Sequence, residues 1–149
     1  MTESKLDVVA IDGPAGSGKS TVAKRTASRL DWTYVDTGAM YRCVCLYALR
    51  RDLEPEDVEE LVDGLKALEI QMFFEDGEFT VLMDEEDVTR TIRENRVSQR
   101  VSEFAELESV RDILVDLQRK LGEGGEAVVE GRDIGTGVFP DARYKFYLD

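Results

Sequence analysis

Two glycines, a lysine and a hydroxyl residue recur at a fixed spacing in Gly13-Pro14-Ala15-Gly16-Ser17-Gly18-Lys19-Ser20, and the chemistry open to that set is phosphate binding. The glycines let the backbone curl so that successive N–H groups point at phosphate oxygens. A helix starting there adds partial positive charge. Lys19 is then placed to bridge the outer phosphates and Ser20 to offer its hydroxyl to magnesium, with Thr21 following as a further candidate at the same site. A glycine-rich connection without a ligand is the competing reading, and the flanks decide between the two. Residues 6–11 contain Val8, Val9, Ala10 and Ile11, the apolar run of a buried parallel strand, while Val22, Ala23, Thr26, Ala27 and Leu30 recur at helical spacing. Strand, loop and helix together predict a nucleoside triphosphate site with magnesium.

The remaining chemistry is limited by what the chain lacks. It contains no histidine, so any catalysis rests on lysine, arginine, carboxylate, hydroxyl or metal. Cys43 and Cys45 are the only cysteines. On one helix that spacing turns them to different sides, which argues against a disulfide or a zinc site and for buried thiols. Trp32-Thr33-Tyr34-Val35 reads as a second strand, followed by Asp36-Thr37-Gly38-Ala39-Met40-Tyr41-Arg42. Asp36 or Thr37 is the expected N-cap of a helix running to about Arg51. Arg42 is either a solvated surface arginine or part of a second anion site. Ala127, Val128 and Val129 form another buried strand, and Glu130-Gly131-Arg132-Asp133 lies at its carboxyl end, where open α/β sheets bind ligands. Arg132 can pair with a phosphate and Asp133 can accept from an exocyclic amine, unless the two form an ion pair that holds a loop.

These motifs sit in a chain of 149 residues, 42% hydrophobic, with a formal net charge of −13. One globular domain is expected. Any basic surface must be local, which argues against nucleic acid as a partner. The start has no signal-peptide core and no segment is long and apolar enough to span a bilayer, so a cytoplasmic protein without membrane association is expected. Residues 52–57, with Pro55, form a polar break; Val58, Leu61, Val62, Leu65 and Leu68 then trace one helix face. Ile70, Met72 and Phe74, then Asp76-Gly77, then Phe79, Val81 and Met83 predict a β-hairpin with a two-residue turn. From Thr89 the chain reads as helical and charged, with Arg90, Arg93, Arg96 and Arg100 as a solvated face paired with glutamates. Val110, Ile113, Leu114, Leu117 and Leu121 predict an amphipathic helix ended by Gly122, and residues 144–148 a last strand.

Gly13 to the hydroxyl at Ser20, Asp36-Thr37-Gly38-Ala39-Met40-Tyr41-Arg42, and Glu130-Gly131-Arg132-Asp133-Ile134-Gly135-Thr136 appear together in an order that resembles the bacterial-type cytidylate kinases. The second and third stretches are the family-specific ones, since many ATPases and GTPases share the first. The resemblance covers the whole chain. It implies a three-layer P-loop NTPase fold of the nucleoside monophosphate kinase type, with a mainly parallel sheet and a small antiparallel insert, about residues 66–100, beside the monophosphate site. It implies transfer of the γ-phosphoryl group of ATP to CMP or dCMP, with magnesium, by a monomer acting on small molecules. Residues 13–21 would hold ATP; Asp36, Thr37, Tyr41, Arg42, Ser102, Arg111, Arg132 and Asp133 would hold CMP; Lys19 and Arg132 would serve the transfer, with Ser20 at the metal. Arg111 resembles the arginine at the cytosine ring and Ser102 a serine at the sugar. Without the resemblance, both read as surface residues, and the hairpin as either a substrate clamp or decoration. The family continues into an arginine-rich lid, a further core strand and closing helices. The chain thus resembles roughly the first two-thirds of a complete enzyme, whether as a partial product or a diverged short form. Impaired turnover is expected without the lid, since one catalytic arginine can be worth roughly 10³ to 10⁵ in rate. An exposed sheet edge is expected as well. Other P-loop kinases, such as shikimate, adenylate or guanylate kinases, share only the first motif. A nucleotide-binding module without turnover is the second alternative.

Overall fold

The computed structural model describes residues 5–149. In chain order the elements are β1 (Leu6–Asp12), α1 (Lys19–Leu30), β2 (Thr33–Asp36), α2 (Thr37–Arg50), α3 (Val58–Leu65), β3 (Ile70–Glu75), β4 (Glu78–Met83), β5 (Glu86–Asp87), a 3₁₀ turn (Thr91–Arg93), α4 (Asn95–Ser98), α5 (Val101–Ala105), α6 (Glu108–Gly122), β6 (Ala127–Gly131), a π-helical turn (Ile134–Val138) and β7 (Ala142–Tyr147). They form two compact units. The first takes the described residues up to Thr37, together with Phe74–Glu78 and Leu117–Asp149; the second takes Gly38–Phe73 and Phe79–Asp116.

The first unit is built on a four-stranded sheet of order β2-β6-β1-β7, in which β1 pairs in parallel with β6 and β7, and β2 with β6. Val8, Ala10 and Ile11 of β1 and Val128 and Val129 of β6 are buried, as the continuous apolar runs of a sheet covered on both faces should be. Helix α1 meets the sheet through the buried small residues Ala23 and Ala27. From β1 the chain moves through α1 to β2 on one flank, whereas β7 lies on the other. The strand order therefore reverses at the carboxyl end of β1, where α/β sheets place ligands. The second strand starts one residue later than predicted. Asp31 turns left-handed and the Trp32 amide donates to the Ala27 carbonyl at 2.9 Å, so both close α1. Asp36 thereby becomes the last residue of β2. The predicted last strand is present as β7, at an edge of this sheet, with Tyr144, Phe146 and Tyr147 exposed.

The second unit has its own core. Met40, Cys43, Val44, Cys45, Leu46 and Ala48 make α2 buried nearly all round, the mark of a central helix. Both cysteines are buried thiols outside any disulfide, as expected. Asp76 and Gly77, in the Phe74–Glu78 stretch that the first unit takes, have φ of 51° and 78°, the geometry of a type I′ turn, so the predicted hairpin is β3–β4. It is extended by the short antiparallel β5, and Ile70, Met72, Val81 and Met83 face inward. Two expectations are corrected. Helix α3 stops at Leu65, and Leu68 is buried from the connection beyond it. The charged segment after Thr89 is no single helix but three short turns broken by extended backbone at Glu94, where ψ is 150°. Each turn inserts one apolar residue, Ile92, Val97 or Phe104, into the core, so its register follows those anchors rather than an unbroken helical period. Of the arginines there, Arg96 and Arg100 pair with glutamates: Arg96 with Glu94 at 2.8 Å, Arg100 with Glu54 and Glu103 at 2.5 and 3.1 Å. Among the described residues no helix is long and apolar enough to cross a membrane.

Candidate active site

In the first unit, β1 delivers the chain at its carboxyl end into the loop at residues 13–20, and α1 begins within it at Lys19. Gly16 and Gly18 have φ of 80° and 90°, and a Cβ at either would meet no atom within 4 Å. The glycines are there for the left-handed backbone, and the space above them is open. A Cβ at Gly13 would strike the Leu148 carbonyl oxygen. Helix α1 has no side-chain N-cap and no acidic residue in its first turn, so its leading amides suit an anion. Lys19 folds over the loop and donates from Nζ to the Pro14 carbonyl at 3.2 Å. The Ser17 Oγ is buried and finds no hydrogen-bond partner among the described residues. An orphaned hydroxyl inside a loop of open, inward-curling backbone fits a phosphate ligand, which would satisfy it.

Glu130 is the hub beneath this loop. It is 3% exposed; its Oε1 accepts from Ser20 Oγ and its Oε2 from Tyr34 Oη, each at 2.7 Å. Asp36 lies beside it on the adjacent strand, in register with it. Burial first, and then the Asp36 charge, push the Glu130 carboxyl upward, against the hydrogen bonds from Tyr34 and Ser20 and the charge of Lys19. Burial also raises the Tyr34 phenol, with the charges of Asp36 and Glu130 adding to it. Ser20, Glu130 and Asp36 offer hard oxygens, the donor set magnesium prefers. Among the described residues no cluster of three or more His, Cys, Asp or Glu could hold a metal alone, so phosphate oxygens would have to complete its shell. The residues present fit that arrangement. The role of Glu130 is one that sequence reasoning misses: its only signal there is a glutamate ending the apolar run Ala127-Val128-Val129.

Thr37, the first residue of α2, is buried and donates from Oγ1 to the Glu130 carbonyl at 2.9 Å. Its hydroxyl proton is thus committed to the chain. Gly131 permits this approach, since a Cβ there would collide with Thr37 Oγ1. Arg132 and Asp133 follow with exposed side chains. Asp133 is left-handed, with φ 56°, and its carbonyl accepts from the Gly137 and Val138 amides at 2.8 and 3.3 Å.

The second unit gathers Tyr41, Arg42 and Arg111. Arg42 is half-buried, and its Nη1 donates to the Ile92 carbonyl at 2.9 Å and to Ser98 Oγ at 2.8 Å. That is a held arginine rather than a waving surface one. Burial raises the Tyr41 phenol, and the charge of the Arg111 guanidinium acts in the opposite direction. Ser102 is exposed on α5. The serine that touches Arg42 is Ser98, 56 residues away in sequence, and no periodicity links the two.

A profile of the cytidylate kinase family matches residues 9–149. The chain is 51% identical over 140 residues to the cytidylate kinase of Caldanaerobacter subterraneus subsp. tengcongensis, covering 94% of this chain and 61% of that protein. It is 47% identical over 141 residues to the cytidylate kinase of Fusobacterium nucleatum subsp. nucleatum, covering 95% and 63%. To the cytidylate kinase of Solibacter usitatus it is 47% identical over 148 residues, covering 99% and 62%. The chain thus spans between 61% and 63% of the length of these curated relatives.

Proposed function

The chain belongs to the cytidylate kinase family, and from that premise we propose that its protein transfers the γ-phosphoryl group of ATP to CMP or dCMP, giving ADP and CDP or dCDP. The observation that carries the reading is the phosphate loop set over Glu130, with the uncapped start of α1, the orphaned Ser17 hydroxyl and the Ser20–Glu130 bond at 2.7 Å. Residues 13–21 bind the triphosphate through backbone amides and Lys19. Ser20 would hold the metal, with Glu130 orienting its hydroxyl and Asp36 alongside. Magnesium, when bound, would supply neutralisation of the phosphate charge.

Asp36, Thr37, Tyr41, Arg42, Ser102, Arg111, Arg132 and Asp133 serve the acceptor. Arg42 and Arg132 take the monophosphate. Thr37, Arg111 and Asp133 read the cytosine, with Tyr41 also binding CMP and Ser102 serving the sugar. A phosphate oxygen of CMP attacks the γ-phosphorus in line, the bond from that phosphorus to the β–γ bridging oxygen breaks, and ADP leaves. The acceptor phosphate is already ionised near neutral pH, so no general base is required. Lys19 and Arg132 offset charge on the transferring group. An Asp133 carboxylate facing the exocyclic amine disfavours uracil, whose carbonyl would present a lone pair to it; a mismatch of this kind costs about 1–3 kcal/mol. The segment around residues 66–100, with its hairpin, acts as the monophosphate-side insert. We place the protein in the cytoplasm, acting as a monomer on small molecules without nucleic acid.

Calorimetric titration of CMP, UMP and AMP into the chain tests this reading. CMP is expected to bind at least about tenfold more tightly than UMP, and Arg132→Ala to weaken CMP by roughly 10- to 100-fold while sparing ATP. Equal binding of UMP would remove the role given to Asp133. Parallel loss of ATP and CMP would remove that of Arg132.

A further inference from the structure

The segment that carries Arg132 and Asp133 is held by two side chains to which the motif reading gives no part. Asp12, the last residue of β1, accepts from the Ile134 amide at 2.6 Å and the Gly135 amide at 3.0 Å, one through each carboxylate oxygen. From α6, Arg119 donates through Nε to the Val138 carbonyl and through Nη2 to the Gly137 carbonyl, both at 3.0 Å. The π-helical turn Ile134–Val138 therefore has an acid on its leading amides and a guanidinium fork on its trailing carbonyls, each matched to the polarity of that end. Gly135 lies close under the clamp: a Cβ there would crowd the Lys145 side chain at 3.2 Å and touch Asp12 Oδ2 at 3.4 Å.

What the clamp holds is unusual. Asp133, immediately before the turn, is a non-glycine residue in the left-handed region, and its own carbonyl is tied to Gly137 and Val138. Such a conformation costs of order 1 kcal/mol and persists where its surroundings over-determine it. Here the bonds on both ends of the turn supply that constraint. The left-handed step also decides where the Asp133 side chain leaves the chain relative to Arg132, since a right-handed or extended Asp133 would send it elsewhere.

We infer that Asp12 and Arg119 are positioning residues, which fix the Ile134–Val138 turn and thereby aim Arg132 and Asp133 at the acceptor nucleotide without touching it. The inference rests on the acceptor role proposed above for that pair. Because Asp12 directly precedes the phosphate loop, one carboxylate ties the origin of the donor loop to the acceptor-reading segment.

The test is calorimetric titration of CMP, UMP and ATP into the wild-type chain and into Asp12→Asn, Arg119→Gln and Arg119→Lys, with thermal unfolding of each. The Asp12→Asn change keeps the shape but turns an NH₂ group toward one of the two amides, and Arg119→Gln removes both the charge and the fork. These two variants are expected to raise the CMP dissociation constant about tenfold and to shrink the CMP-over-UMP preference, with ATP affinity held within about threefold. Arg119→Lys, which keeps the charge but not the fork, is expected to fall between wild type and Arg119→Gln. Wild-type CMP affinity in both Asp12→Asn and Arg119→Gln overturns this inference alone. So does a parallel loss of CMP and ATP that tracks a fall in melting temperature, which would make the two residues merely structural. A wild-type chain that binds ATP but no CMP overturns the acceptor reading, and this inference with it.

Discussion

Glu130 is a buried carboxyl that accepts two hydrogen bonds and lies beside a second acid, and it should leave a signature in the pH dependence of folding. Its pKa is raised in the folded chain, chiefly by burial, so the folded state keeps the proton to higher pH than the unfolded state does. The stabilising contribution is therefore complete below the ordinary carboxyl value of 4.5 and is lost as pH rises toward the folded value. Glu86, Asp87 and Glu103 are shifted the other way by Arg50, Thr89 and Arg100, and their effects fall in the acid range below their ordinary values. Denaturant unfolding of wild type and Glu130→Gln between about pH 4.5 and 8 should give curves that diverge with pH, the variant gaining relative to wild type. A gap that stays constant across this range would contradict the buried, proton-holding carboxyl. At Lys19, substitution by alanine should weaken ATP by roughly 10- to 100-fold and leave CMP within about threefold, as read by calorimetry. The spacing of Lys19 and Ser20 was legible because the phosphate loop is local. The partners of Glu130, Asp12 and Arg42 were not, since they lie 96 to 123 residues away in the first two cases and 50 to 56 in the third.

At the scale of elements, the approach of β6 to the start of α2 depends on Gly131. A methyl group there would meet Thr37 Oγ1, with Ile134 Cδ1 next at 3.0 Å. Gly131→Ala should therefore cost about 1–3 kcal/mol. In a Thr37→Ala background, where the colliding oxygen is gone, that cost should fall by about half or more; a double-mutant cycle by chemical denaturation reads the difference. Additive costs would place the strain elsewhere. The elements that could be read from sequence were those with a strong local rule: the apolar strands β1 and β6, the Asp76-Gly77 hairpin, and the amphipathic stripe of α6. The segment after Thr89 could not. Its arginine spacing reads only as helical, while the structure sets separate turns by single buried anchors at Ile92, Val97 and Phe104, and burial of isolated residues leaves no period to find. In β2 the boundary moved by one residue because Trp32 serves the end of α1, a cap that no alternation pattern marks.

For the whole molecule, charge is the feature with the plainest consequence. The net charge is −13, and the ion pairs of Arg50, Arg96, Arg100 and Arg143 join groups that are part or mostly exposed, which makes each of them weak. Self-repulsion should then dominate the salt response. The midpoint of thermal unfolding is expected to rise by about 3 °C or more between roughly 0.05 and 0.5 M NaCl, as the excess negative charge is screened. A midpoint that fell would mean that the arginine pairs matter more than the excess charge. The proposed reaction is tested most directly by phosphorus NMR of the chain mixed in stoichiometric amount with ATP, magnesium and CMP, so that even slow turnover registers. CDP and ADP are expected to appear together in equal amounts, and UMP in place of CMP to give far less product. ATP consumed to ADP and inorganic phosphate without CDP, or UMP phosphorylated as readily as CMP, would contradict it.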